Sequence, residues 1–177
     1  MKKQMFMKKL IIKSQLIKKC QNIKLVLSDV DGVLTDGGMY FSENGELIKK
    51  FNTRDGMAVE LLLKQGIKTI LISRENSKII KQRGKKINAV ATYVGIKNKE
   101  KHLEEICKKF HLQKKEIAYI GDDVNDIAIM SQIGLSASPH DAMHEVKAIA
   151  NYICELSGGN GAFREFANLI ILAKSMN

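Results

Sequence analysis

Two spacings of apolar residues alternate along the chain. Short unbroken apolar runs that end in small or acidic residues read as buried parallel strands. Stretches with an apolar residue every three or four positions read as amphipathic helices. Strands are expected at 23–29, 67–73, 89–94, 116–122, 134–139 and 150–154. Helices are expected at 55–66, 77–87, 98–112, 124–133, 141–150 and 162–174, with Gly66 closing the first. The segment 38–52 differs: it reads as two short strands around Asn44-Gly45, the strongest local hairpin signal.

Strands alternating with helices of this length predict an α/β fold. The expected architecture is a doubly wound, Rossmann-like parallel sheet with helices on both faces and a small β-hairpin beside it. Ligands bind such sheets beyond the carboxyl ends of the strands. Three of those ends carry Asp29, Ser73 and Asp122, so the chemistry is expected along one edge. No repeat, linker or low-complexity stretch interrupts the pattern. The 177 residues divide into a basic N-terminal helix, 1–21, and a single domain, 22–177.

Charge changes this picture only at the N-terminus. The formal net charge is +10, but the first 28 residues hold eight lysines and no acid, leaving 21 basic and 19 acidic residues for the other 149. Apolar Met5, Leu10, Ile12, Leu16 and Ile17 lie near helical spacing among those lysines, which predicts an amphipathic helix packed on the domain with its lysines in water. Arginines and aromatics are few there, so nucleic acid is not the expected partner. No apolar run approaches the roughly 20 residues that span a bilayer, so membrane insertion is not expected either. Cys20, Cys107 and Cys154 are scattered and odd in number, which excludes a disulfide framework and suits a reducing, cytoplasmic setting.

Two acidic constellations carry the chemistry. In SDVDGVLTDGG (28–38), Asp29 and Asp31 leave a strand two residues apart, so an extended backbone aims both carboxylates the same way. Gly32 then lets the chain turn away at once. Paired acids repel unless a cation or a shared proton lies between them, and a carboxylate can also attack phosphorus as a nucleophile. In IGDDVND (120–126), Asp122, Asp123 and Asp126 follow another apolar strand. Together with Asp29 and Asp31 they are more than helix capping needs, and a hard oxygen site for magnesium explains them. Ser73 and Lys99 are candidate phosphate ligands. His140 and His144, four apart with no obvious third ligand, read as a surface pair.

These motifs resemble the haloacid dehalogenase superfamily of phosphotransferases over nearly the whole span from Ile23 to Ala173. DVDGVLTDG alone meets six fixed positions of the pattern DxDGxxTDG, a chance agreement on the order of one in ten million per start site. FNTRDG (51–56), YVGIKNK (93–99), IGDDVND and GGNGAFREF (158–166) resemble the capless branch that contains 3-deoxy-D-manno-octulosonate 8-phosphate phosphatase. The chain is also similar to nonulosonate 9-phosphate phosphatases and to the phosphatase-like domain of some CMP-sialate synthetases. The resemblance implies a phosphomonoesterase acting on an acidic 2-keto-3-deoxy sugar phosphate, of the kind found in lipopolysaccharide or sialic acid synthesis. Asp29 would be the nucleophile, and Asp31 the general acid and then base. Mg2+ would be held by Asp29, the Asp31 carbonyl and Asp122, with Asp126 supporting the metal waters. Ser73 and Lys99 would hold the transferring phosphoryl group. Asn52, Thr53, Arg54, Asp55, Gly56, Glu75 and Arg83 would meet the substrate.

The resemblance also implies no cap domain, and a homotetramer in which the hairpin covers a neighbour's site. The chain departs from the pattern after the second strand, where octulosonate phosphatases read TGR. Here the stretch is ISRENSKIIKQR (72–83), which puts Arg74 and Glu75 at the glycine and arginine positions and keeps Arg83. Asn160 likewise stands where GGRGA is common. An acid at 75 would repel a substrate carboxylate and suit a hydroxyl or amide, as in nine-carbon sugar phosphatases, so the eight- and nine-carbon readings stand level. A receiver-type signalling domain would need its phosphoacceptor after the third strand. A non-catalytic partner of a cytidylyltransferase would not need DxD, Lys99 and GDDVND intact.

Overall fold

A computed structural model describes residues 14–176. Residues 14–21 are helical (α1), and the rest of the predicted 1–21 helix lies outside the described residues. The elements that follow are β1 (Leu25–Ser28), β2 (Tyr40–Ser42), β3 (Gly45–Ile48), α2 (Thr53–Lys64), β4 (Lys68–Ile72), α3 (Lys78–Lys86) and β5 (Ala91–Tyr93). After them come α4 (Leu103–Phe110), β6 (Ile117–Ile120), α5 (Ile127–Met130), β7 (Leu135–Ser138), α6 (His144–Ile149), β8 (Tyr152–Ile153) and α7 (Ala162–Lys174).

Six strands form one parallel sheet in the order β5-β4-β1-β6-β7-β8, and β2 and β3 form a separate antiparallel hairpin. Strand β1 is central, with Leu25 opposite Lys68 of β4 and Ile117 of β6. Its four residues are all buried, as a strand covered on both faces requires. Alternation along the strands divides the core in two. Val26, Leu71, Ala118 and Ala137 face α1, α2, α3 and α7, whereas Leu25, Leu27, Ile70 and Tyr119 face α4, α5 and α6. Helix α7 buries Phe163, Phe166, Ala167, Ile170 and Ala173, a three-and-four spacing that makes one apolar stripe. Truncating either phenylalanine to alanine costs about 3–5 kcal/mol.

The predicted helices and strands are all present, most with shorter ends, while α2 begins two residues earlier than expected and α7 spans the expected 162–174. Two predicted helices begin instead as 3-10 turns, at Lys99–His102 and Val124–Asp126. Both turns carry site residues, Lys99 and Asp126, whose side chains are drawn fully inside. In the hairpin the turn residues are Glu43 and Asn44, and Gly45 opens β3 opposite Ser42 with φ +108°. His140 precedes α6, and His144 begins it. Helix α1 is continuous with the domain: Leu16 and Ile17 pack on the core, Cys20 is buried, and Lys19 Nζ donates to Asn151 Oδ1 at 2.9 Å. Among the described residues no helix is long and apolar enough to cross a membrane.

Candidate active site

Strands β1, β4 and β6 end side by side, so the loops that leave them share one edge. Asp29 N donates to Ile120 O at 3.0 Å, which ties the loop after β1 to the end of β6. The chain then turns through Gly32 at φ +80°, so close to Asp122 that a Cβ there would fall 1.9 Å from Asp122 Oδ2. Only glycine permits both that conformation and that approach.

Lys99 lies at the centre of the site with no exposed surface. Its ammonium group has three protons and three partners: Asp29 Oδ1 at 2.8 Å, Asp126 Oδ1 at 2.6 Å and Tyr119 OH at 3.1 Å. Burial works against its charge, but the charges of Asp29 and Asp126 prevail and raise its pKa. Tyr119 OH donates in turn to Asp126 Oδ1 at 2.6 Å. Asp126 Oδ2 accepts from the backbone N–H groups of Asp122 at 3.0 Å and Asp123 at 3.4 Å. Both Asp126 oxygens are therefore occupied, and this carboxylate acts as a strut that fixes Lys99 and the start of the Asp122 loop.

Asp29 and Asp122 are placed differently. Burial, and then repulsion from Asp126, holds Asp29 well above the usual carboxylate range despite Lys99. The same two causes push Asp122 to about 7. The two carboxylates lie close together, and two charged carboxylates at that range repel unless a proton or a cation lies between them. Asp122 Oδ1 is buried with no hydrogen-bond partner. Among the described residues, Asp29, Asp122 and Asp126 form the one carboxylate group whose oxygens lie within 4.8 Å of one another. A divalent cation between these carboxylates satisfies the orphaned oxygen and removes the repulsion, so the donor set fits a hard metal ion.

Asp31 extends from the same loop. Its Oδ2 accepts from Ser73 Oγ at 3.1 Å, and Ser73 Oγ accepts from Glu75 N at 3.0 Å. Its Oδ1 pairs with Lys49 Nζ at 2.6 Å. Asp29, Asp31, Gly32, Gly37, Arg74, Glu75, Asp122, Asp123 and Asn125 line a cleft of about 250 Å³ open to solvent.

The structure brings together Asp29, Asp31, Ser73, Glu75, Lys99, Asp122 and Asp126. It does not bring the other predicted substrate ligands to this cleft within one chain. Asn52 instead caps α2, accepting from Arg54 N at 2.9 Å, while its Nδ2 donates to Gly159 O at 3.2 Å. Asp55 is buried and accepts from Arg164 N at 2.9 Å at the start of α7, and burial pushes its carboxyl up to about 6. Arg83 donates to Asn52 O at 2.8 Å and lies over the Phe51 ring. Thr53, Gly56 and Arg83 line a separate groove with Met57 and Ile87. These contacts tie the NTRDG segment to the 158–161 loop, where Gly159 N donates to Val33 O at 2.9 Å behind the catalytic loop.

Tyr119 and Lys49 were missed. Tyr119 lies inside an apolar run and reads as core, and Lys49 follows a hairpin strand as one lysine of a Lys-Lys pair.

Residues 64–165 match the sequence profile of the haloacid dehalogenase-like hydrolases. A 3-deoxy-D-manno-octulosonate 8-phosphate phosphatase from Salmonella typhi is 34% identical over 163 residues, 92% of this chain and 87% of the relative. The cobalt-bound deoxy-D-mannose-octulosonate 8-phosphate phosphatase from Haemophilus influenzae superposes with a TM-score of 0.86 at 35% identity, covering 89% of this chain and 92% of that one. The octulosonate phosphatase from Moraxella catarrhalis, solved with magnesium, phosphate and the sugar acid, superposes with a TM-score of 0.87 at 31% identity, covering 90% and 92%. Profile, identity and fold agree with the buried Asp29–Lys99 pair at the strand ends: the chain belongs to the haloacid dehalogenase-like hydrolases and is a phosphomonoesterase of that superfamily.

Proposed function

We propose that the enzyme hydrolyses the phosphate ester of an acidic 2-keto-3-deoxy sugar, of the 3-deoxy-D-manno-octulosonate 8-phosphate type, through an aspartyl-phosphate on Asp29. The observation that carries this reading is Asp29 and Asp31 side by side in one small cleft, with the buried Lys99 paired to Asp29 behind it, in a chain most of whose length aligns with octulosonate phosphatases. An Asp29 oxygen attacks phosphorus and the bond from phosphorus to the sugar oxygen breaks, that oxygen taking a proton from Asp31. Water then attacks the phosphoryl group and gives a proton to Asp31, and the bond to Asp29 breaks to release phosphate and restore the carboxylate. Lys99 and the Ser73 hydroxyl hold the phosphoryl oxygens and offset their charge. Magnesium held by Asp29, the Asp31 carbonyl and Asp122 would supply further positive charge where negative charge builds up.

The hairpin exposes Met39, Tyr40, Phe41, Leu47 and Ile48 together, Phe41 at 62%. That patch supports a homotetramer in which the hairpin closes a neighbour's open cleft and shields the phosphorylated intermediate from bulk water. It also gives the NTRDG segment and Arg83 a route to substrate, across a subunit boundary. Sedimentation of a fully active monomer would defeat this part of the reading. The nine-carbon alternative rests on one observation, that Glu75 lines the cleft beside Arg74. The discriminating experiment compares magnesium-dependent phosphate release from octulosonate 8-phosphate and from a nonulosonate 9-phosphate. Preference for the first supports the octulosonate assignment, preference for the second transfers the enzyme to nonulosonates, and turnover of neither rejects both.

A further inference from the structure

The ion pair between Asp31 and Lys49 joins the hairpin to the reacting centre. The Lys49 side chain has no exposed surface, and its Nζ lies 2.6 Å from Asp31 Oδ1 and 2.5 Å from Glu46 Oε1. Glu46, on β3, is fixed at its other oxygen by Ser77 Oγ, which donates at 2.6 Å from just before α3. A continuous chain of charge-assisted contacts therefore runs Ser77, Glu46, Lys49, Asp31. A lysine used only to hold the hairpin would be satisfied by Glu46; burying its whole stem to reach a cleft carboxylate desolvates a charge that solvent would otherwise stabilise.

The two Asp31 oxygens have unequal tethers. Oδ2 is held only by the Ser73 hydroxyl, which has a single proton. When the Ser73 hydroxyl turns to donate to a phosphoryl oxygen instead, Asp31 loses that bond, and Lys49 at Oδ1 becomes its remaining side-chain anchor. We propose that Lys49 is the positioning residue of the acid–base carboxylate: it grips Oδ1 and leaves Oδ2 to exchange the proton with the leaving oxygen and then with water. Glu46 sets the position of Lys49, so the hairpin determines the orientation of Asp31. This inference rests on the acid role of Asp31 proposed above.

The test compares an alkyl phosphate, whose leaving oxygen needs a proton, with p-nitrophenyl phosphate, whose leaving group departs unprotonated. The readout is kcat/KM, which covers steps through the first cleavage of the phosphorus–oxygen bond. For Lys49→Met the expected loss is about 30-fold on the alkyl ester and under about threefold on the aryl ester, since general acids contribute about 10²–10⁴. Glu46→Gln, a milder change should Lys49→Met fail to fold, is expected to show the same asymmetry at about fivefold. Asp31→Asn is the control. If it shows the asymmetry and neither other variant does, the positioning role of Lys49 is overturned while the acid role stands. If Asp31→Asn loses equally on both esters, the acid role itself fails, and this inference with it.

Discussion

The reacting centre of this enzyme and the residues proposed to recognise its substrate are built in opposite ways. Asp29, Asp31, Ser73, Lys99, Asp122 and Asp126 converge within one chain, because the segments that follow four adjacent parallel strands, β5, β4, β1 and β6, deliver them to one edge. Asn52, Asp55 and Arg83 are engaged elsewhere, fastening α2, α3, α7 and the 158–161 loop to one another. The first group is fixed by sheet register; the second depends on which surfaces meet. A phosphatase can keep its chemistry constant while its substrate range is set by loops and neighbours, because the two are held by different parts of the fold.

The largest effect that would sharpen the contrast is expected at the centre. Lys99→Met removes the cation between Asp29 and Asp126, and a broken buried pair costs about 3–5 kcal/mol. Expected is a loss of at least about a thousandfold in phosphate release together with a lower Tm. Retained activity at unchanged Tm would mean that the centre does not depend on this pair.

The next prediction concerns pH and metal. The Asp122 carboxyl is raised to about 7, so its neutral form is favoured in the folded protein. Without metal, that contribution to stability is present at low pH and is lost as pH rises toward and through 7. A divalent cation needs the ionised form, so its gain in Tm is expected to be larger at pH 8 than at pH 6. Half-activating magnesium is expected to rise by up to about tenfold per pH unit below 7. Equal gains at both pH values would remove Asp122 from the metal site.

The smallest effect is expected in the second region. Arg83→Met loses the bond to Asn52 O and the contact with Phe51, about 1 kcal/mol, seen as a slightly lower Tm. A KM raised tenfold beside that small loss would bring Arg83 to the substrate across a subunit boundary, as the proposed tetramer allows, whereas an unchanged KM would confine it to fastening α3 to the start of α2.

How far the site was legible in sequence follows from the same division. Asp29, Asp31, Asp122 and Asp126 stand directly after apolar runs, where strand ends can be read from periodicity. Lys99 is legible only through its motif, because one lysine among many at the start of an amphipathic segment carries no signal of burial. Tyr119 is hidden by the strand it belongs to: alternation aims it at the α4–α6 face, and only the tertiary position of Asp126 and Lys99 gives its hydroxyl partners. The NTRDG contacts join residues about 107 positions apart, beyond the reach of any local spacing. The hairpin was legible but its turn was displaced by one residue, because Gly45 takes its positive φ inside β3.

The most direct test of the central claim is phosphate release by Asp29→Asn beside the parent enzyme at saturating magnesium. The substitution relieves the burial of a carboxylate and its repulsion from Asp126 but takes one partner from Lys99, which keeps Asp126, so any fall in Tm should be smaller than for Lys99→Met. Expected is a loss of at least about a thousandfold with the fold intact. A folded variant within tenfold of the parent would contradict Asp29 as the nucleophile.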